Sequence, residues 1–232
     1  MLTRQEIETG YPQELEAFAG LLRTLSDDDL ALPTRCAGWT VRDVAVHVIG
    51  TLADVSAFRL DGLATPETHA RWLQERDGRS GPELADELDG LTKASNDLLA
   101  GFDDAAWNGP VPGPVAGTIG QGIEALYYDT YVHNDDIRSA LGQATATSPG
   151  GLKASIHHIA FVLEDQGHAP LSLALDGVDP AAAHVDGIDT VDVGGGGQTV
   201  TGDAHQFVLA TTGRRDPSAF GLGPEANIYR DA

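Results

Sequence analysis

Apolar side chains recur at helical spacing in four stretches of the chain before Gly142, with polar residues between them. In the second stretch, Val44 and Val48 belong to the apolar stripe, and Thr40 precedes it as an N-cap with Asp43 three positions on. The predicted helices cover about residues 12–25, 40–60, 82–101 and 118–141. Four amphipathic helices predict a four-helix bundle, with another all-α arrangement as the alternative.

After Gly142 the pattern changes to short apolar runs separated by glycine and aspartate, and residues 147–151 are interpreted as a linker. The predicted elements are a helix over 152–165, strands over 171–175, 190–193 and 198–201, and a helix over 203–212. Gly194–Gly197 is interpreted as a hairpin turn, because neither Lys-Ser/Thr nor a GxGxxG context accompanies it. We therefore predict two domains, residues 1–146 and 147–232, of which the second is a small α+β unit.

Composition and charge argue against several classes of protein. The chain has 232 residues, 41% of them apolar, which is ordinary for a globular protein. No run reaches the roughly 18 apolar residues of a membrane helix, and no signal peptide is visible, so we expect a cytoplasmic protein. The formal net charge of −21 repels phosphate backbones and anionic lipids. We therefore expect neither nucleic acid nor a membrane as a partner.

Cys36 is the only cysteine in the sequence. It cannot form an internal disulfide, and alone it cannot make a thiolate metal site. Any metal must therefore be held by histidines and carboxylates, and a thiol needed for chemistry is expected to arrive with a cofactor. Cys36 itself is interpreted as a small, buried and inert thiol.

Asp129 and His133 lie four residues apart on the fourth predicted helix and therefore project from one face. His47 lies on the second helix, at the edge of its apolar stripe. Burying these groups without partners is costly, and a shared divalent cation would remove that cost. Two histidines and one carboxylate, with a fourth position open, have the ligand count of a catalytic zinc site. A core histidine with other partners and an exposed Asp–His pair remain the alternatives.

Three segments carry a resemblance to a known family. Ala37–Val48 resembles the "GWTxxDVxxH" segment of the mycothiol-dependent maleylpyruvate isomerase and DinB-like superfamily. Asp129–Gly142 resembles the second signature, which is usually Glu-x-x-x-His followed by a "DI/LRxALG" tail. The stretch from Gly202 to Arg214 resembles the second domain of the family, which is related to sterol-carrier folds. The resemblance implies a DinB-like four-helix bundle followed by a small, sterol-carrier-like α+β domain.

The resemblance also implies a metal site. His47, His133 and the carboxylate at position 129 would hold a divalent metal, with zinc as the expected ion. The family usually has Glu where this chain has Asp129, whose side chain is one methylene shorter. The helices then approach more closely, or the carboxylate binds through water, or the site is weaker. Asp135 and Asp136 are candidates for orienting His133, with solvated acids at a helix end as the alternative.

The implied activity is mycothiol-dependent. Zinc lowers the pKa of a bound thiol, and the thiolate can add to an activated double bond, allow rotation and leave, or displace a leaving group. These steps give cis–trans isomerisation or S-transfer on a small electrophilic substrate. Arg214 is the candidate catalytic cation and, with Arg215, the candidate site for the thiol cofactor. In the alternative interpretation, both arginines neutralise surface acids.

Two other function classes remain open at this point. One is a metal-dependent hydrolase of thiol conjugates, in which water is the nucleophile. The other is a non-catalytic module that binds a small or lipid-like molecule through the C-terminal domain. The acceptor substrate is not indicated by any residue, and both a monomer and a homodimer are compatible with the sequence.

Overall fold

The computed structural model describes residues 1–63, 65–112, 117–177 and 190–230. These residues belong to two compact units, one over Thr3–Thr147 and the other over Ser148–Ala232 together with Met1–Leu2. The first unit is helical, and the second combines helices with a small sheet. None of the helices in the described ranges has both the length and the apolar composition that a membrane crossing requires.

The helical unit is a four-helix bundle with three short additional helices. Its elements are α1 (Arg4–Leu22), α2 (Asp27–Leu30), α3 (Val41–Ser56), α4 (Pro66–Glu75), α5 (Gly81–Ala100), α6 (Asp104–Trp107) and α7 (Ile119–Ala140). The helices α1 and α3 each pack against both α5 and α7. The predicted bundle is therefore confirmed, and α3 and α7 are direct neighbours within it.

Capping boxes set the starts of the long helices. Thr40 caps α3 with Asp43, and Thr118 caps α7 with Gln121, as the sequence predicts. Each such cap contributes about 1 kcal/mol to helix stability. The helix α1, in contrast, starts at Arg4 and not at the predicted Pro12, because Thr3 forms a further capping box and the buried stripe already begins at Ile7.

The stretch between α3 and α5 is polar and mixed in sequence, yet part of it forms the helix α4. Thr65 caps α4, and Pro66 occupies the first helical turn, where its missing N–H is not needed. The helix is held by Trp72, which is fully buried against Gly50 of α3. An added Cβ at Gly50 would lie 2.4 Å from the indole ring, so this close approach of α4 to α3 requires glycine.

The second unit contains a three-stranded sheet between helical segments. Its elements are α8 (Pro149–Asp165), β1 (Leu171–Asp176), β2 (Val191–Val193), β3 (Gln198–Asp203), α9 (Ala204–Thr211) and two 3-10 turns over Pro217–Phe220 and Pro224–Ala226. The strand order is β2–β1–β3. The strand β1 pairs antiparallel with β2 and parallel with β3. Leu173 of β1 and Val200 of β3 are directly opposite each other, and both are buried.

The glycine run is not a hairpin turn, since β2 and β3 lie on opposite sides of β1. Gly194, Gly195 and Gly196 all have positive φ angles, and the backbone N–H of Gly197 donates to Ser172 of β1. A Cβ at Gly197 would lie 2.1 Å from the carbonyl oxygen of Pro170. The glycines therefore carry the chain closely past the start of β1, which explains four small residues in a row without a phosphate ligand.

Candidate metal centre

His47, Asp129 and His133 meet between α3 and α7 of the helical unit. Asp129 Oδ2 lies 3.3 Å from His47 Nε2, and Asp129 Oδ1 lies 3.3 Å from His133 Nε2. One donor atom from each residue lies within 4.8 Å of the other two. The side chains of His47 and Asp129 are each 21% exposed, and that of His133 is 10% exposed. The site is therefore largely buried, yet it keeps some access to solvent.

Local structure explains how these side chains converge. His47 lies about two turns into α3, whose start is fixed by the Thr40 capping box. Asp129 and His133 lie one turn apart on α7 and so face the same neighbour. The short Asp129 side chain reaches both imidazoles, one with each carboxylate oxygen. The missing methylene relative to glutamate therefore does not keep the three groups apart.

The contacts within the site shift the pKa values of Asp129 and His133. Burial by itself would raise the pKa of Asp129, but the His133 and His47 imidazoles outweigh it and hold that pKa well below its ordinary value. Burial alone would lower the pKa of His133. The Asp129 carboxylate and hydrogen bonds to Asp129, Asp136 and Cys36 outweigh burial and raise the His133 pKa well above its usual 6.5. Without a cation, His133 is therefore the protonated member and Asp129 the ionised member of the pair.

The donor set fits zinc. Two imidazole nitrogens and a carboxylate are the ligands of many catalytic zinc sites. Ligand atoms about 2.0–2.1 Å from a tetrahedral zinc lie about 3.4 Å apart, close to the 3.3 Å separations observed here. Asp129 also accepts hydrogen bonds from both histidines without a metal, so the spacing of the candidate ligand atoms, more than their burial, favours a cation.

A second set of residues lies on the far side of the His133 ring. Nδ1 of His133 donates to Oδ2 of Asp136 over 2.9 Å, and the Asp136 side chain is fully buried. Arg35 binds both Asp135 and Asp136. The Cys36 thiol lies 3.1 Å from the Asp136 oxygen that accepts from His133. Asp136 therefore contacts the ring that the sequence suggests it orients, and Asp135 pairs with Arg35.

Aromatic side chains form a wall beside the three candidate ligands. The Trp39 ring stacks on His69, with centroids 4.3 Å apart, and its centroid lies 5.1 Å from that of His47 and 6.3 Å from that of His133. Trp72 packs edge-on against His47 at 5.9 Å. The sequence motif contained Trp39, but its contact with His69 of α4 was not predicted. The Thr65–Pro66 start signal and the His69–Trp72 spacing of three residues could have revealed this face of α4.

His69 has a defined tautomer in this wall. Its Nε2–H donates to the carbonyl oxygen of Asp43 over 3.2 Å. Burial lowers the pKa of His69, and the hydrogen bond to Asp43 offsets this only in part. The ring is therefore neutral at pH 7, with its proton on Nε2 and a lone pair on Nδ1.

Arg214 and Arg215 belong to the other compact unit, directly after α9. The backbone N–H of Arg214 donates to the carbonyl oxygen of Leu209, and its Nη1 donates to that of Thr212. Gly213 has a φ of +74°, which allows the chain to leave the helix at this point. The structure thus brings the three predicted metal ligands together, and the predicted roles of Arg214 and Arg215 remain predictions.

Comparison with known proteins gives consistent matches. An uncharacterized protein, found in two strains of Mycobacterium tuberculosis, is 27% identical over 136 residues, which cover 58% of this chain and 66% of that protein. The chain thus matches just under two thirds of the length of these relatives. The fold is similar to the crystal structure of the mycothiol-dependent maleylpyruvate isomerase, with a TM-score of 0.64 at 14% identity, covering 92% of this chain and 90% of the other.

A mutant form of that isomerase gives a TM-score of 0.61 with the same identity and coverage. At this identity the two structures establish the fold, which is mostly helical with a small three-stranded sheet near the C-terminus. The model of the mycothiol maleylpyruvate isomerase N-terminal domain family matches residues 11–138, which include all three candidate metal ligands. Because this match covers more than half of the 232 residues, the chain belongs to the mycothiol maleylpyruvate isomerase N-terminal domain family.

Proposed function

We propose that this protein is a metal-dependent enzyme of the maleylpyruvate isomerase type, which uses zinc and mycothiol on a small electrophilic substrate. The reaction is either cis–trans isomerisation of an unsaturated acid or transfer of the thiol to an acceptor. The observation that carries the proposal is the convergence of His47, Asp129 and His133, with 3.3 Å between each histidine and the carboxylate. The family match and the fold similarity support the thiol dependence.

Residues of the helical unit have distinct roles in the proposed function. His47, Asp129 and His133 would hold the metal, which when bound lowers the pKa of a thiol and so supplies a thiolate at neutral pH. Asp136 keeps the proton of His133 on Nδ1, so that Nε2 can act as the ligand. Trp39 and His69 wall the site with flat, largely apolar surface, which limits the entry of water beside the candidate ligands.

Thiol-dependent turnover is the test of reaction class. We expect the zinc-loaded protein to convert an electrophilic or cis-unsaturated acid only when mycothiol is present. Metal-dependent cleavage of a mycothiol conjugate without added thiol would instead assign the protein as a hydrolase. Absence of metal binding together with binding of a small or lipid-like molecule would assign it as a non-catalytic module.

Arg214 is proposed to supply positive charge for the anionic substrate or for the thiol cofactor, with Arg215 beside it. The chain carries 14 basic against 35 acidic residues, so local cations are scarce. We expect Arg214→Ala to reduce kcat/KM by at least about tenfold, the value of one charge-assisted hydrogen bond. Arg23→Ala is the matched control, because Arg23 forms exposed ion pairs with Asp86 and Asp89. Equal activity of the two variants would remove Arg214 from the site.

A further inference from the structure

The Cys36 thiol reaches the candidate metal centre through one carboxylate oxygen. Cys36 Sγ lies 3.1 Å from Asp136 Oδ2, and His133 Nδ1 lies 2.9 Å from the same oxygen. The opposite nitrogen of the ring, Nε2, faces Asp129 at 3.3 Å. A single imidazole therefore connects the thiol and Asp136 to the three candidate ligands.

The directions of these hydrogen bonds follow from the charge of Asp136. Its other oxygen, Oδ1, accepts from Arg35 Nε over 2.5 Å, and this guanidinium favours the ionised carboxylate. An ionised carboxylate can only accept, so the S–H of Cys36 and the Nδ1–H of His133 both donate to Oδ2. Because Nδ1 keeps its proton, loss of the Nε2 proton leaves the lone pair of His133 on Nε2, the nitrogen that a metal needs.

The backbone around Cys36 holds the thiol in this position. The N–H of Cys36 donates to the hydroxyl oxygen of Thr34 over 3.2 Å, and that hydroxyl donates to the carbonyl oxygen of Trp39 over 2.9 Å. A β-bridge between Pro33 and Thr40 closes the same turn. The same turn therefore places Cys36 near Asp136 behind the His133 ring and Trp39 in the aromatic wall.

Cys36, His133 and Asp136 also meet the spacing of a cation site, with their donor atoms within 4.8 Å of one another. A cation there would have to compete with Arg35 for Asp136 and remove the proton from Nδ1 of His133. His133 would then be an anionic bridge between two metals. Donated hydrogen bonds require none of these changes, so the contacts favour an orienting role for the thiol.

We propose that Cys36 is a positioning residue of the metal centre, whose S–H fixes the Asp136 oxygen that orients His133. This inference rests on the proposed metal centre and extends it by one residue beyond the ligands and Asp136. A thiol is a weak donor, so the effect on metal affinity lies at the lower end of the 10–100-fold range that is typical of outer-shell partners.

The test compares Cys36→Ala, which removes the donor, with Cys36→Ser, which keeps one. The zinc dissociation constant is measured by competition with a chelator, and the Nδ1–H signal of His133 is followed by NMR of 15N-histidine-labelled protein. The signal is assigned by its loss in His133→Asn. We expect Cys36→Ala to weaken zinc binding about tenfold and to speed solvent exchange of this proton. Cys36→Ser should restore both properties to within about threefold of the wild type.

Thr92→Ala is the matched control, because it removes another buried donor of the helical unit, the hydroxyl that bonds to the carbonyl of Leu88. It should leave the His133 signal and the zinc affinity unchanged. The proposal is overturned if Cys36→Ala matches the wild type in either measurement. It is equally overturned if Cys36→Ser behaves as Cys36→Ala, since volume and not donation would then matter, or if a second zinc ion is lost with the thiol.

The same experiment separates this inference from the proposed function. The Nδ1–H signal of His133 is recorded without metal as well as with it, and it reports the hydrogen bond alone. A wild-type protein that binds no zinc refutes the metal centre. An Nδ1–H signal that is insensitive to Cys36→Ala refutes the role of the thiol while the metal centre stands.

Discussion

His47 Nε2 and Asp129 Oδ2 lie 3.3 Å apart across the contact between α3 and α7. The two residues are distant in sequence, and the packing of these two bundle helices brings them together. The second oxygen of Asp129 lies at the same distance from His133. Asp129 thus lies between the two histidines of the candidate metal centre, and we expect substitutions of Asp129 to have the largest effects on metal binding.

Asp129→Asn should weaken metal binding by more than about 100-fold, because a direct ligand contributes more than an outer-shell partner. The substitution keeps the size of the side chain and removes its charge. Asp129→Glu should retain metal or bind it more tightly, since it restores the usual family ligand. Metal content by elemental analysis, with exposed Asp97→Asn as the control, measures both effects. Full metal content in Asp129→Asn would show that the carboxylate is only a neighbour.

Metal binding should release about one proton at pH 7, because the raised pKa of His133 keeps the metal-free ring protonated. Affinity should therefore fall about tenfold for each pH unit below that pKa. Calorimetric titrations in buffers with different ionisation enthalpies count the protons. A binding heat that does not depend on the buffer would contradict the coupling between His133 and the metal.

The part of the free energy of unfolding that His133 contributes to the metal-free protein should fall as the pH rises, whereas metal affinity should rise with pH. A pKa that is raised on folding contributes stability below 6.5, the ordinary pKa of histidine, and this contribution is lost as the pH rises through the raised value. As the pH rises above 6.5, the metal-free bundle should therefore lose the free energy of unfolding that the raised pKa of His133 contributes. The metal-loaded bundle gains stability over the same interval, so thermal melts of the two forms should diverge as the pH rises.

Features of the site that depend on residues close together in sequence could be predicted from the sequence. Features that depend on which helices pack together could not. The start of α3 at Thr40 follows from a capping box within four residues, and the shared face of Asp129 and His133 follows from helical spacing. The meeting of His47 with these two residues was inferred from the family resemblance, because spacing alone does not say which helices pack together.

The aromatic wall has weaker local signals, because Thr65–Pro66 marks a helix start but does not show which helix α4 packs against. The segment that forms α4 is polar over most of its length, and its helix is stabilised by the burial of Trp72 against Gly50. The prediction of a hairpin turn at Gly194–Gly197 was wrong for a similar reason. Consecutive strands usually pair, but β2 and β3 lie on opposite sides of β1, and the chain between them passes close to Pro170 at Gly197.

Asp54 should be a main anchor of α4 and of the wall that it carries. Its buried carboxylate accepts from Arg59, Arg71 and the indole N–H of Trp72. Burial works to raise the pKa of Asp54, but Arg71, Arg59 and Trp72 outweigh it and hold the pKa below its ordinary 3.8. Asp54→Asn should lower the free energy of unfolding at pH 7 by about 2–3 kcal/mol, the value of hydrogen bonds to a charged group.

The pH dependence checks the cause of that loss. A depressed pKa contributes stability above about 3.8, and the contribution disappears as the pH falls through the folded-state value. The difference between wild type and Asp54→Asn, measured by urea unfolding, should therefore shrink below about pH 4. A difference that stays constant down to pH 3 would show that packing, and not the ionised carboxylate, is responsible.

The central claim is that His47, Asp129 and His133 hold a metal that accepts an external thiol. The absorption spectrum of the cobalt-substituted protein, before and after addition of mycothiol, tests it most directly. We predict tetrahedral cobalt bands that are absent in the His47→Ala, His133→Ala double variant, and a new sulfur-to-cobalt charge-transfer band on addition of mycothiol. The band should also appear in Cys36→Ser, so that the sulfur must come from the added thiol. Equal cobalt binding by the double variant, or a spectrum unchanged by mycothiol, would contradict the account.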